Sequence, residues 1–397
     1  MADHKYIHRQ LESTLLQLHK GFPCIVITGP RQSGKTTLAR ALFPEKSYIS
    51  LEDLNEREFA TKDPRGFLGR FPDGAILDEA QRCPDLFSYL QTAMDNDGRM
   101  GLFVLTGSQH FHLMESITQS LAGRAAMVQL PPFSIAELSS VGIAPQNPDS
   151  AMIMGGYPPI YTRPVLPQTW FENYTRTYIE RDVRSLLNVK DLSVFHLFLK
   201  LCAGRVGQLV NLSALGAECG VSHNTVRAWL SVLETSAVVF MVRSYFRNFN
   251  KRLVQTPKVY FLDTGLLCSL LGIETLQHLY YHPQRGSIFE NLIVSEVVKA
   301  GLNRGKACDL FFFRDRSGFE IDLVIEKGTR LDAVEIKSGK TVHSDFFKNL
   351  RKWKNIAGEA AGETSLVYGG EEAFTREGCQ VMPWRTAAED IAGNSRA

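Results

Sequence analysis

The chain has 397 residues, 44% of them hydrophobic and 22% charged, with a formal net charge of +2. That length allows two or three domains, the near-neutral charge excludes a polycation, and no run of eighteen apolar residues offers a membrane span. The N-terminus lacks an apolar leader and the seven cysteines are scattered, without C-x-x-C or zinc spacing, so a soluble cytoplasmic protein with reduced thiols is expected.

The first chemical signal is the octapeptide Gly29-Pro30-Arg31-Gln32-Ser33-Gly34-Lys35-Thr36, which fits G-x-x-x-x-G-K-[ST] at every fixed position. Cys24–Thr28 before it reads as a buried strand, and Thr37–Leu42 after it reads as a helix. Backbone N–H groups of such a loop converge on phosphate oxygens at the positive end of the following helix. Residues 29–37, Thr37 included, are thus the expected nucleotide cradle. Lys35 is expected on the β- and γ-phosphates and Thr36 on Mg²⁺.

Further on, Gly74-Ala-Ile-Leu-Asp78-Glu79 is a short apolar strand ending in two acids, which resembles a Walker B motif. Asp78 is expected to hold Mg²⁺ and Glu79 to act as general base on the attacking water. Leu102–Thr106 is another apolar strand ending among hydroxyl and amide residues. Thr106, Ser108 and Gln109 are all candidates for a γ-phosphate or water contact. Alternating strands and helices over 22–110 predict a parallel sheet covered on both faces.

Together with Ser120-Leu-Ala-Gly-Arg124, Gly155-Gly-Tyr-Pro158, Tyr178-Ile-Glu-Arg-Asp182 and Lys258-Val-Tyr-Phe-Leu-Asp-Thr-Gly-Leu266, these motifs resemble the prokaryotic AAA-type P-loop ATPases with a C-terminal domain of unknown function, DUF4143. The resemblance covers about residues 5–370. It implies ATP and Mg²⁺ as ligands and a ring-like homo-oligomer, with a hexamer-like ring expected. In such a ring one subunit's arginine reaches its neighbour's γ-phosphate. Arg124 and Arg181 are the candidate fingers, each alternatively a surface arginine paired with a nearby acid. Arg31 is a further phosphate-facing candidate, alternatively a solvated loop arginine.

Residues 195–260 are basic, with eight Lys/Arg against two Glu. Asn211–Gly220 reads as a helix ended by glycine, and Ser222 caps a second helix. Val226, Leu230 and Leu233 share a face of that helix, while His223, Asn224, Arg227 and Ser231 lie on others. The strand Ala237–Val242 follows, then Arg243, Arg247, Lys251 and Arg252. This is the plan of a winged helix. It predicts DNA contact through Asn224, Arg227, Arg243, Arg247, Lys251 and Arg252, or else a packing module without nucleic acid.

The C-terminal part contains a predicted helix, Gly286–Lys299, carrying Glu290 in line with Val294 and Val297. Strands follow at Asp309–Phe313, Glu320–Ile325 and Ala333–Lys337. Strand alternation places Glu335 and Lys337 on one face, and Asp322 opposite Ile321, Leu323 and Ile325. This pattern resembles the PD-(D/E)xK nuclease core. The resemblance implies Mg²⁺ on Asp322 and Glu335, Lys337 on the attacking water or phosphate, and Glu290 in support. A structural ion-pair cluster around Lys337 is the alternative.

The expected fold class is α/β: an AAA-like P-loop parallel sheet with helical lid, winged helix and a C-terminal restriction-endonuclease-like domain. The expected divisions are 1–130 for the ATPase core, 131–190 for a lid or connector, 191–255 for the winged helix and 256–397 for the nuclease-like domain. The expected function is ATP-driven remodelling of, or translocation on, DNA, without membrane partners. An ATP-gated metal-dependent nuclease and a nucleotide switch acting on proteins stay open.

Overall fold

A computed structural model describes residues 6–107, 120–179, 191–245, 256–306 and 309–393. The chain folds as two compact units. The first runs to Phe133 with the short pieces 235–237 and 302–306; the second takes the rest.

In the first unit, helix α1 (Glu12–Gly21) precedes β1 (Cys24–Thr28), α2 (Lys35–Leu42), β2 (Ser47–Ser50), α3 (Leu54–Lys62) and α4 (Pro64–Gly69). Then come β3 (Ala75–Asp78), α5 (Leu86–Asp97), β4 (Phe103–Thr106) and β5 (Ala125–Gln129). The strands form one parallel sheet in the order β2-β3-β4-β1-β5. All residues of β1, β3 and β4 are buried, as parallel strands covered on both faces require. Cys24 and Val26 pack into a cluster with Leu77, Phe87 and Leu105, whereas Ile25 and Ile27 pack with Leu38, Val104 and Val128. The two-residue strand period thus feeds two separate cores. Strand order reverses beside β1, so the crevice at its carboxyl end is where a doubly wound sheet binds ligands.

The second unit opens with short helices α6 (Ile135–Ser140), α7 (Pro148–Met154), α8 (Pro158–Thr162) and α9 (Pro167–Tyr174), the last continuing as a wide turn over Thr175–Ile179. The helix expected over Trp170–Leu187 is described only that far. Next come α10 (Leu192–Ala203), α11 (Leu212–Cys219), α12 (His223–Thr235), β6 (Val239–Ser244), β7 (Lys258–Phe261), α13 (Thr264–Leu270), α14 (Leu276–Tyr281) and α15 (Arg285–Asn303). Strands β8 (Leu310–Arg314), β9 (Glu320–Lys327) and β10 (Arg330–Lys337), helix α16 (Lys348–Ala357), strands β11 (Ala361–Tyr368), β12 (Phe374–Arg376) and β13 (Cys379–Pro383), and α17 (Ala387–Gly393) complete it. The strands join in one mixed sheet, β12-β13-β11-β10-β9-β8-β6-β7. The hairpin strand β6 pairs antiparallel with β7 and parallel with β8, so the basic segment shares its sheet with the C-terminal strands.

Two motifs quoted for the family resemblance meet inside this unit. Asp263 is buried, accepts Leu266 N–H at 3.0 Å as the cap of α13, and accepts Gly156 N–H at 2.6 Å. Gly155 has φ +62°, and a Cβ there would lie 2.2 Å from Asp263 Oδ1, so only glycine fits. Lys299 supplies the counter-charge and also bonds Glu296 at 2.8 Å, whose other oxygen accepts Ile135 N–H at 2.7 Å. Gly155–Pro158 and Leu262–Leu266 are therefore bound together as a folding element.

One local expectation is corrected. Ile321 packs with Val324, Phe313 and Trp353, while Leu323 and Ile325 belong to the other core, with Phe312 and Val334. The β8–β9 register explains this: Phe311 faces Val324 but Phe313 faces Ile321, leaving an extra residue on β9 at Asp322–Leu323. A bulge of this kind reverses facing and re-aims a side chain.

Candidate functional site

The phosphate loop leaves β1 through Gly29, at φ +139°. A Cβ there would stand 2.3 Å from Leu130 O, so the loop depends on glycine to pass β5's continuation. Gly34, at φ +96°, precedes the first residue of α2. Lys35 is buried and its Nζ donates to Gly29 O at 3.1 Å and Pro30 O at 2.8 Å. Ser33 Oγ is buried without a hydrogen-bond partner. Arg9 clamps the loop from outside: its guanidinium donates to Ser33 O at 3.0 Å and Pro131 O at 2.7 Å and lies 4.6 Å over the Phe133 ring. Nothing in the sequence around Arg9 announces this role.

The acids expected from the Walker B strand stand at the same end of the sheet. Thr36 Oγ1 donates to Asp78 at 3.0 Å, Tyr48 OH donates to Asp78 Oδ2 at 2.8 Å, and Thr106 Oγ1 donates to Asp78 Oδ1. Of the three residues offered after β4, Thr106 meets the acid; Ser108 and Gln109 lie outside the described residues. Tyr48 was not anticipated. Its hydroxyl pKa is pushed up to about 12 by burial and by Asp78. Glu79 adopts φ +56°, a left-handed conformation that costs a non-glycine residue about 1–2 kcal/mol. Gln81 Nε2 donates to it. Burial pushes the Glu79 carboxyl above the usual range, opposed by the Lys35 and Arg31 charges.

These residues fit a nucleotide with Mg²⁺. A buried ammonium holds loop carbonyls, a hydroxyl and carboxylate already touch, and an orphaned hydroxyl sits inside the loop. Arg124 lies at the opposite, amino end of the sheet, beside the start of β5, and forms a two-pronged pair with Asp95 at 2.6 and 2.9 Å. Its surface-pair alternative is what the geometry displays within one chain. Arg181 lies outside the described residues. An open cleft between α4 and α5, lined by Arg65, Phe71 and Tyr89, reaches the amino end of β4 at Leu102 and Phe103, away from the phosphate loop.

In the basic segment, Asn211 caps α11 at Ala214 N (3.0 Å), Gly220 ends it at φ +68°, and Ser222 accepts Thr225 N–H at 3.1 Å. Val226, Leu230 and Leu233 are buried, and Asn224, Arg227 and Arg243 are exposed. Arg247, Lys251 and Arg252 lie outside the described residues. The surface charge is smaller than the count over 195–260 implies: Arg205 pairs with Glu218, and Lys258 is buried.

Lys258 belongs instead to a cluster with the C-terminal acids. Its Nζ lies 3.3 Å from Glu290 Oε1 and also bonds Glu320 Oε1. Tyr260 OH donates to Glu290 at 2.6 Å, and Arg314 meets Glu320 at 3.2 Å. The bulged Asp322 accepts Ile336 N–H at 2.8 Å, standing in for a ladder bond, and receives Lys337 Nζ at 3.4 Å. Lys337 donates to Glu335 at 2.7 Å, and Asn349 donates to the other Glu335 oxygen at 3.4 Å. Burial and the Asp322 charge push Glu290 up to about 7 and Glu335 up to about 8, against the pull of Lys258 and Lys337 respectively.

Glu290, Asp322, Glu335 and Lys337 thus converge as the sequence suggested. Asp322 and Glu335, the pair expected to hold Mg²⁺, are bridged by Lys337 in this arrangement. Among the described residues no group of three or more His, Cys, Asp or Glu is placed to hold a metal ion. Lys258, Tyr260 and Glu320 were missed because Lys258 reads as one more charge of a basic segment.

Comparison with known proteins agrees with this architecture. Residues 21–139 match an AAA domain, 145–277 a domain of unknown function (DUF8612), and 285–387 a domain of unknown function (DUF4143). Uncharacterized proteins of Mycobacterium tuberculosis (Rv2008c) and Mycobacterium bovis (Mb2031c) are each 30% identical over 362 residues, 90% of this chain and 78% of theirs. Among solved structures, the Walker-type ATPase PABY2304 of Pyrococcus abyssi is similar at 15% identity, with a TM-score of 0.44, over 68% of this chain and 97% of that one. No described helix is long and apolar enough to cross a membrane. The chain belongs to the family of AAA-domain P-loop ATPases that carry a C-terminal DUF4143 domain.

Proposed function

We propose that this protein hydrolyses ATP with Mg²⁺ and uses the cycle to remodel or move along DNA, working as a ring of identical subunits. The observation that carries the ATPase reading is the Asp78 carboxylate held by Thr36, Tyr48 and Thr106 beside a buried Lys35. Lys35 would exchange its carbonyl partners for β- and γ-phosphate oxygens, as amide groups of residues 29–37 close on the phosphates. Thr36 and Asp78 would hold Mg²⁺, which neutralises phosphate charge when bound. Glu79 would take the proton of the attacking water at its carboxylate. Arg124 can serve as a finger only on a neighbour's nucleotide, after leaving Asp95; Arg181 is the other candidate.

Exposed Asn224, Arg227 and Arg243 around α12 and β6 support DNA contact, with Arg247, Lys251 and Arg252 offered on the same reading. In this reading the chain divides into the ATPase core (1–130), lid (131–190), winged helix (191–255) and C-terminal domain (256–397). Fluorescence anisotropy with duplex and four-way-junction DNA tests it. Reversing Arg227 and Arg243 to Glu should weaken binding at least tenfold and flatten its salt dependence. Equal affinity in the reversed variant overturns the DNA reading and favours a switch acting on proteins.

A further inference from the structure

We propose that Lys258 is the built-in cation of the C-terminal acidic cluster, so that this centre binds no divalent metal while Lys258 is present. This goes beyond the proposed ATPase cycle and is independent of it.

Four carboxylates meet here, from α15 (Glu290), β9 (Glu320 and Asp322) and β10 (Glu335). Four carboxylates cannot all be ionised and buried together without compensation. In a metal centre a divalent ion supplies that compensation. In this chain two ammonium groups supply it. Lys337 takes the Asp322–Glu335 side, and Lys258 takes the Glu290–Glu320 side. Arg314 adds a third positive group on Glu320.

Lys258 is suited to stay there. Its side chain is 2% exposed, reaching the cluster from β7, where Leu209 bridges to it and β6 pairs beside it. Its ammonium also lies 5.3 Å over the Phe312 ring. Burial alone would pull its pKa down, but Glu290, Glu320 and Asp322 outweigh that, so it remains charged. The other donors crowd particular oxygens: Lys258 and Tyr260 share Glu290 Oε1, the Ile336 amide and Lys337 share Asp322 Oδ2, and Asn349 and Lys337 take the two Glu335 oxygens. Gly207 closes over Glu290, where a Cβ would come 3.3 Å from Oε1. A magnesium ion needs near-octahedral oxygen ligands and retains several waters. Here Lys258 and Lys337 already hold one oxygen of each of the four carboxylates, so a divalent ion would have to displace an ammonium group or sit against it.

Mn²⁺ titration of the full chain, read from the electron paramagnetic resonance of the free ion, tests this. The Asp78→Ala background silences the ATP site. In that background the protein should bind no Mn²⁺ below millimolar concentrations. Adding Lys258→Met, or Lys258→Gln to keep a donor toward Glu290, should create one site at least tenfold tighter, and Asp322→Asn should remove it. Stoichiometric micromolar Mn²⁺ binding with Lys258 in place, lost on Asp322→Asn, overturns the proposal whether or not the Lys258 variants fold. A folded Lys258 variant that gains no site overturns it too.

Discussion

Thr106→Val is the sharpest probe of the ATP site, because it removes one hydroxyl and almost nothing else. Thr106 is fully buried at the end of β4, and valine keeps its β-branched shape and strand preference. What disappears is the donor to Asp78 Oδ1, leaving Thr36 and Tyr48 to hold the carboxylate. A hydrogen bond to a charged group contributes about 1.5–3 kcal/mol. If that energy serves to hold Asp78 in its working orientation, kcat should fall by about 10- to 100-fold. The Mg²⁺ concentration for half-maximal rate should rise, since Asp78 is the proposed metal ligand. Nucleotide affinity without metal should change little, because the loop and Lys35 are untouched. Steady-state phosphate release across a Mg²⁺ series reads both quantities, and thermal melting confirms the fold. A folded variant with wild-type kcat and unchanged Mg²⁺ dependence would refute the reasoning.

Three other outcomes follow from named contacts. Glu79→Gln should bind ATP but hydrolyse it at least a hundredfold more slowly; the wild-type rate should fall on acidification at a pH above the ordinary glutamate range, because burial raises the Glu79 pKa and the base must be ionised. Stopped-flow nucleotide binding and a pH–rate profile check this. Asp263→Ala should cost roughly 2–4 kcal/mol in urea unfolding, since it removes the α13 cap and leaves the buried Gly156 N–H without its acceptor, whereas Asp263→Asn should cost less. Lys337→Met should destabilise the protein by roughly 2–3 kcal/mol at pH 9, less than a fully buried pair because Lys337 is partly exposed. Glu335 has a folded pKa above its unfolded value of 4.5, so ionising it disfavours the fold as pH rises towards about 8. Without Lys337 that effect grows, and the deficit should shrink between pH 9 and pH 6 in denaturant titrations.

The ATP site was legible because its parts are local: the phosphate loop and the Asp78–Glu79 strand end each lie within eight consecutive residues. What the sequence withheld depends on long-range pairing. Tyr48 reaches Asp78 only because β2 lies beside β3, and Arg9 reaches Ser33 from across twenty-four positions. The C-terminal acids can be read from their order on a helix and two strands, but the ion pairs that Lys258 makes with Glu290 and Glu320 cannot. The bulge at Asp322 is set by the pairing with β8, which the run Ile321-Asp-Leu-Val-Ile325 does not spell out, and Lys258 reads as a basic-segment charge until β7 joins the same sheet as β8 and β9.

The central claim is that ATP hydrolysis at Lys35, Thr36, Asp78 and Glu79 is coupled to DNA. The most direct measurement is the steady-state ATPase rate with Mg²⁺, alone and with single-stranded, duplex and four-way-junction DNA, using Lys35→Ala as the blank. The account predicts hydrolysis that Lys35→Ala abolishes and that at least one DNA form stimulates severalfold, with the DNA left uncut. A rate indifferent to every DNA would contradict the coupling, and hydrolysis surviving in Lys35→Ala would contradict the site itself.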